Sequence, residues 1–277
     1  MEKFKKLIFT HSGALGDILY SLPFCNYLKN LLSLSSFEYI IKINNPGNFN
    51  INHPAGHVLT NLTLANFIKP LLEIQPNIKN INIIDEHTEN GINYLNSLKN
   101  SDTLIINLDN FRKLPCNFSA NYIPKYYFYL MNSFNYNTDN LILPSIIANT
   151  DNRAKNKIIL FRSLRYHNKL ISYKFLEKIK ENILFIGLPE EYNNFKTSYF
   201  ECEYLLTKNA LEVANLINSA KLTIGNQTFF FAIAELLKVP RLLEQCQYCP
   251  NVLTLGGYGQ DIFYQNQFEQ IMASYLK

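Results

Sequence analysis

The 277-residue sequence has few charged residues, few cysteines and no long hydrophobic run. Charged residues make up 17% of the chain and hydrophobic residues 47%, a balance typical of a globular protein rather than a disordered one. The net charge of +4 is small, so we do not expect a general binder of nucleic acid or other polyanions. No apolar stretch approaches the ~20 residues that a membrane-spanning helix needs.

The five cysteines are an odd number without the pattern of a disulfide framework, which indicates a reducing compartment. Cys246 and Cys249 have the Cys-x-x-Cys spacing, but without a second pair we expect neither a metal nor a redox role. The first residues show no hydrophobic core of a signal peptide. We therefore expect a cytoplasmic protein without a bound metal or cofactor, and peripheral contact with the inner membrane surface stays open.

The first half alternates segments typical of strands and helices. We predict strands at residues 6–10, 37–43, 78–84 and 103–108, and helices at 18–32, 64–72 and 122–134. Short apolar strands that alternate with helices are typical of a doubly wound parallel sheet.

A polar segment at residues 135–157 separates this half from a second series of strands and helices. We predict one Rossmann-like domain at 1–150 and another at 151–277, with a last helix at 260–275 that folds back on the first domain. The predicted class is α/β, with two parallel sheets that face each other across a cleft.

The stretch FTHSGALGDILYSLP, residues 9–23, joins the first strand to the first helix. Gly13 and Gly16 allow a tight turn and a close backbone approach, and a helix N-terminus attracts an anion or a sugar. No Gly-Lys-Ser/Thr follows, and the third glycine of a dinucleotide fingerprint is missing, which argues against a P-loop and against NAD. The residues alone leave Asp17 open between a helix cap and a catalytic carboxylate.

The run GALGDILYSLP, residues 13–23, resembles the Gly-x-x-Gly-Asp signature of the heptosyltransferase-like glycosyltransferases of family 9, which have a GT-B fold. The resemblance implies that Asp17 is the general base that deprotonates the acceptor hydroxyl. It also implies an inverting, metal-independent transfer from a nucleotide-diphosphate sugar to a saccharide, in the synthesis of surface glycans or lipopolysaccharide. A carboxylate suits this chemistry, because a sugar hydroxyl is a poor nucleophile until its proton is removed.

Two segments of the second half resemble the donor side of the same family. The first is RSLRYHNK, residues 162–169, where the family places a hydroxyl and a basic residue on the donor phosphates. The resemblance assigns donor contacts here to Arg162, Ser163, Arg165, Asn168 and Lys169. Arginine is suited to bidentate phosphate contacts, and a solvated basic loop is the alternative.

The second segment is TIGNQTFFFAIAELLKVPRLLE, residues 223–244. The resemblance assigns diphosphate contacts to Gly225, Asn226, Gln227 and Thr228. Gln227 replaces the usual aspartate of the family, Phe229 the usual glycine, and Ala232 stands where the family has a histidine. These departures keep open a non-catalytic protein that binds sugar nucleotides.

Four further residues are candidates with a structural alternative. Asp109 and Arg112 follow a strand and are candidate acceptor contacts, although Asp109 could also form a turn. His11 is either a ligand contact or a hydrogen-bonded structural histidine. Glu190 either binds the donor ribose or complements the dipole of its helix.

The expected partners are a nucleotide sugar and a saccharide acceptor, without nucleic acid, and the oligomeric state stays open. A sugar-nucleotide epimerase or hydrolase with the same fold is the alternative enzyme. Such an enzyme would convert its nucleotide sugar with no acceptor present.

Overall fold

The computed structural model describes residues 4–47, 55–113, 123–131 and 139–276. The first half contains a parallel sheet with the order β3-β2-β1-β4. Its strands are β1 (Lys6–His11), β2 (Phe37–Ile43), β3 (Ile78–Asp85) and β4 (Thr103–Asn107). All three strand pairs are parallel, and β1 and β2 are almost fully buried, as their apolar runs predict.

Six α-helices accompany this sheet within the described residues. They are α1 (Leu15–Tyr20), α2 (Leu22–Leu31), α3 (Leu62–Glu73), α4 (Glu89–Ser97), α5 (Ile123–Phe128) and α6 (Asp139–Ile142). Residues 108–113 and 129–131 form short 3₁₀ helices. Residues 132–134 of the helix predicted at 122–134 lie outside the described part of the chain.

The prediction of a single helix at 18–32 is wrong, because the structure has two helices, α1 and α2, with Ser21 between them. Pro23 stands in the first turn of α2. Proline has no backbone N–H and favours the start of a helix over its interior.

The second half contains a six-stranded parallel sheet with the order β10-β9-β8-β5-β6-β7. The strands are β5 (Ile158–Phe161), β6 (Ile183–Ile186), β7 (Glu203–Leu205), β8 (Leu222–Asn226), β9 (Arg241–Glu244) and β10 (Gly259–Ile262). The helices are α7 (Pro189–Ser198), α8 (Ala210–Ser219), α9 (Phe229–Leu237) and α10 (Gln265–Tyr275). Residues 152–154 and 174–182 are 3₁₀ helices.

The end of the chain differs from the prediction in two respects. Residues 259–262 are strand β10, which pairs with β9, rather than the start of a helix. Helix α10 does not fold back on the first half, because its Phe268 and Met272 are buried in the core of the second half. The ring of Phe268 lies 5.3 Å from that of Tyr173 in an edge-to-face arrangement.

The two halves meet through helices that follow the strands. Helix α1 packs against α9 and α3 packs against α8, within one buried apolar cluster that extends across both halves. The rings of Phe67 and Phe229 meet at this interface with centroids 6.1 Å apart. None of the described helices is both long and apolar enough to cross a membrane.

Candidate active site

The glycine loop after β1 is shaped by its neighbours. A Cβ atom on Gly13 would lie 2.4 Å from Cε1 of His11, so no larger residue fits there without displacing the histidine. The hydroxyl of Thr60 donates a hydrogen bond of 2.7 Å to the carbonyl of Gly13. A Cβ atom on Gly16 would meet nothing within 4 Å, so the chain faces open space at that position.

Asp17 is the third residue of α1 rather than its N-cap. The N-cap is Ala14, and no side chain caps this helix end. A carboxylate in the first turn still interacts favourably with the helix dipole. Asp17 is 8% exposed, so most of this residue is buried, and it does not have the N-cap role that the sequence left open.

Tyr166 of the second half lies within electrostatic range of Asp17. Burial is the main cause of the raised pKa of Tyr166. The charge of Arg165 lowers this pKa, and the ionised forms of Cys249 and Asp17 raise it. The charge of Asp17 therefore acts on a residue of the loop after β5.

A mostly buried carboxylate, that of Asp109 with 22% of its side chain exposed, organises the first half of the site. One oxygen of Asp109 accepts a hydrogen bond of 2.8 Å from the backbone N–H of Ser12 and lies 3.0 Å from Nδ1 of His11. Its other oxygen lies 2.9 Å from Nζ of Lys42, which also binds Glu86 at 3.1 Å. Burial alone would raise the pKa of Asp109, but His11, Lys42 and the Ser12 N–H together hold it well below its usual range.

Tyr127 connects this carboxylate to the base candidate. Its hydroxyl donates a hydrogen bond of 2.8 Å to the backbone carbonyl of Asp17 and lies 2.7 Å from Nε2 of His11. The His11 side chain is fully buried and hydrogen-bonded, as expected from the structural alternative. Asp109 likewise binds groups of its own half, and the side chain of Arg112 lies outside the described part of the chain.

A second buried carboxylate organises the donor-side loop after β5. Arg162 donates from Nε and Nη2 to the two oxygens of Glu244, at 2.7 and 2.9 Å. Burial would lower the pKa of Arg162, but this bidentate pair raises it above its ordinary value. Glu244 also accepts hydrogen bonds from the backbone N–H of Asn168 and the hydroxyl of Tyr173, at 2.6 and 2.9 Å. The predicted phosphate ligand Arg162 is therefore 6% exposed and bound to a carboxylate of its own half.

Asn226 and Asn168 hold the same loop from other sides. Asn226 is fully buried; it accepts from the N–H of Ser163 at 3.0 Å and donates to the Ser163 carbonyl at 3.1 Å. Asn168, 1% exposed, donates to the Phe263 carbonyl at 3.0 Å. A Cβ atom on Gly225 would lie 2.2 Å from the ring of Phe161, so this glycine is required by the packing of β8 against β5.

Other predicted donor residues face outward or line the interface. Arg165, Lys169 and Glu190 are exposed. Thr228 is the N-cap of α9, and its hydroxyl accepts from the N–H of Phe231 at 3.1 Å. Gln227 donates to Asn251 at 2.5 Å.

Sequence reasoning missed the residues that hold these loops, which are Lys42, Tyr127 and Glu244. A weak signal was present for two of them, because Lys42 and Glu244 are charged residues in apolar strand segments. No sequence signal marks Tyr127. Within the described residues, no group of three or more His, Cys, Asp and Glu side chains could hold a metal ion.

The sequence matches no protein-family model and no curated protein. Solved structures do match over nearly the whole chain. The glycosyl transferase family 9 protein from Veillonella parvula has a TM-score of 0.62 at 14% identity, with 100% of this chain and 91% of that chain covered. The E. coli heptosyltransferase WaaC with ADP has a TM-score of 0.64 at 11% identity, with 98% and 99% covered.

The E. coli ADP-heptose LPS heptosyltransferase II is similar to the same degree, with a TM-score of 0.63 at 12% identity and 98% of both chains covered. At such identities the likeness establishes the fold. The chain thus has the GT-B architecture of these glycosyltransferases, with two parallel sheets and an interface at which α1 packs against α9 and α3 against α8.

Proposed function

We propose that this protein is an inverting, metal-independent glycosyltransferase that moves a sugar from a nucleotide-diphosphate donor to a saccharide acceptor. The observation that carries the proposal is the position of Asp17, in the first turn of α1 directly after the glycine loop, 8% exposed and within electrostatic range of Tyr166 of the other half. The GT-B fold supports it, because the structures with this fold include heptosyltransferases.

In the proposed reaction, the carboxylate of Asp17 takes the proton of an acceptor hydroxyl. The hydroxyl oxygen attacks the anomeric carbon on the face opposite the diphosphate. The bond from that carbon to the diphosphate oxygen breaks, and the nucleoside diphosphate leaves with the electron pair. Attack from the opposite face inverts the anomeric configuration.

The leaving diphosphate needs positive charge and N–H donors. We assign the charge to Arg165 and Lys169, which are exposed, and the N–H groups to the first turn of α9. The Thr228 hydroxyl accepts from the Phe231 N–H, and its own proton can be donated to a phosphate oxygen. Arg162, Asn168, Ser163 and Asn226 then shape the loop.

The solved structures with this fold support the proposed donor class. Heptosyltransferase WaaC has been solved with ADP and with ADP-2-deoxy-2-fluoro heptose. We propose a nucleotide sugar for this chain too, used in the cytoplasm for lipopolysaccharide or another surface glycan.

The donor site is tested by a thermal-shift screen of ADP, UDP and GDP sugars, since a ligand that binds only the folded state raises the apparent stability. We expect one nucleotide class to stabilise the protein. Thr228→Val should weaken its binding by about 3-fold to 10-fold, the range that one lost hydrogen bond gives. Thr88→Val is the matched control, because Thr88 caps α4 with the same 3.1 Å bond far from the interface. No stabilisation by any nucleotide sugar would contradict the proposal.

A non-catalytic sugar-nucleotide-binding protein is the second candidate. It is favoured by the contacts of two residues that depart from the family pattern, since Gln227 binds Asn251 and Phe229 packs against Phe67. Donor binding without transfer to any acceptor would support this candidate. Conversion of the donor with no acceptor present would support the epimerase or hydrolase.

A further inference from the structure

A series of close polar contacts runs from Lys42, on strand β2, to the base candidate. It passes from Lys42 to Asp109, His11 and Tyr127 and ends on the backbone carbonyl of Asp17. Its four side chains come from four different elements: β1, β2, the 3₁₀ helix after β4, and α5. We propose that this series of contacts positions Asp17 for catalysis, with Tyr127 and His11 as positioning residues.

The available donors and acceptors determine the direction of the hydrogen bonds between His11, Tyr127 and Asp17. A carbonyl oxygen only accepts, so the single hydroxyl proton of Tyr127 is donated to Asp17. The oxygen of Tyr127 then accepts from His11, which requires the proton of the imidazole on Nε2. The other nitrogen, Nδ1, lies 2.8 Å from the N–H of Gly13 and 3.0 Å from Asp109.

The same contacts fix both ends of the glycine loop. The Ser12 N–H binds Asp109 and the Gly13 N–H binds Nδ1 of His11, which holds the beginning of the loop. The Asp17 carbonyl accepts from Tyr127 and also from the N–H of Ser21 within the helix. Both lone pairs of that carbonyl are therefore engaged.

The helix itself supplies little that could replace these contacts. Helix α1 has six residues and no side-chain cap, and isolated helices of that length are unstable in water. The direction of the Asp17 side chain depends on the backbone from which it projects. A carboxylate displaced by about 1 Å from its reacting partner can lose 100-fold in rate.

This series of contacts is buried where it acts. His11 is 0% exposed and Lys42 has 7% of its side chain exposed, so neither lies at the surface where a substrate would bind. The ring of Tyr127 packs against Phe111 with centroids 4.5 Å apart. Tyr127→Phe would keep that ring contact and remove only the hydroxyl.

This inference rests on the proposed transfer reaction, so its test has a readout in activity and a second one that is independent of activity. In Tyr127→Phe we expect kcat to fall by about 10-fold to 100-fold, while KM for donor and acceptor changes by less than about 3-fold. The second readout is hydrogen exchange of the α1 amides, including the Ser21 N–H that binds the Asp17 carbonyl, which should become faster. Tyr94→Phe is the control, because Tyr94 accepts a 2.9 Å bond from Asn82, away from the glycine loop.

Unchanged kcat or unchanged exchange in α1 would overturn the proposal, as would a Tyr127→Phe effect no larger than that of Tyr94→Phe. If the wild-type protein transfers no sugar, the proposed function fails. Hydrogen exchange alone then decides whether the contacts of His11 and Tyr127 position α1.

A pair of substitutions at His11 gives a decision if Tyr127→Phe does not fold. His11→Gln can keep an N–H donor near the position of Nε2, whereas His11→Leu removes both nitrogens. We expect kcat of His11→Gln to be at least about 10-fold higher than kcat of His11→Leu. We also expect the α1 amides to exchange at least about 10-fold more slowly in His11→Gln than in His11→Leu. Equal losses in the two variants would mean that the histidine only fills space.

Discussion

Each half of the molecule holds its first loop with one carboxylate from a neighbouring strand end. In the first half Asp109 binds the Ser12 N–H, and in the second half Glu244 binds the Asn168 N–H. Asp109 is 22% exposed and divides its bonds between His11 and Lys42, whereas Glu244 is fully buried and forms a bidentate pair with Arg162.

The difference lies in what remains when each carboxylate is removed. Lys42 has a second partner in Glu86, so the first half keeps a neutralised cation. Arg162 has the rings of Tyr173 and Tyr199 at 5.4 and 5.5 Å, but Glu244 is the carboxylate that pairs with it. The loop after β5 therefore depends more strongly on its single carboxylate than the loop after β1 does.

Glu244→Gln should give the largest loss of stability. It leaves the buried guanidinium of Arg162 without its counter-charge, which typically costs about 3–5 kcal/mol in the free energy of unfolding. Urea unfolding measures the loss. Glu203→Gln is the control, since Glu203 pairs with Lys157 at the surface and should cost less than about 1 kcal/mol. Equal losses in both variants would contradict the distinction between the halves.

Asp109→Asn should lower the free energy of unfolding by about 1–3 kcal/mol, less than Glu244→Gln does, because Lys42 keeps its ion pair with Glu86. The loss also depends on pH. The pKa of Asp109 is lower in the folded state, so its stabilisation is full above the ordinary value of about 3.9 and is lost as pH falls below it. The gap between wild type and variant in urea unfolding should therefore narrow from pH 6 to pH 3. A difference in stability that stays constant between pH 6 and pH 3 would mean that these contacts do not stabilise the ionised form of the Asp109 carboxylate.

The strands of the first half were predictable to within one residue at each end. The segments of β1 and β2, such as Phe37–Ile43, are buried on both faces of a parallel sheet, and burial leaves a direct pattern in the sequence. Strand β10 has no such pattern, because Gly259–Ile262 contains polar residues and becomes a strand through pairing with β9. The break at Ser21 had a signal in Pro23, which the helical spacing of the apolar residues obscured.

The site was predictable as a set of loops but not residue by residue. The resemblance located the loops after β1, β5 and β8, and the described structure brings the first two within electrostatic range. It could not show whether Arg162 faces a ligand or a buried carboxylate, because Glu244 is 82 residues away along the chain. The same holds for His11 and Tyr127, which are 116 residues apart in sequence and 2.7 Å apart in space.

The most direct test of the account is to measure donor binding and sugar transfer on the same preparation of Asp17→Asn. The account predicts a donor Kd within about 3-fold of the wild type and a transfer rate about 100-fold to 10,000-fold lower, the range that a general base contributes. Asp102→Asn, which removes an exposed carboxylate paired with Lys5, should leave both values unchanged. Transfer by Asp17→Asn at close to the wild-type rate would contradict the account, because the carboxylate would then not be the base.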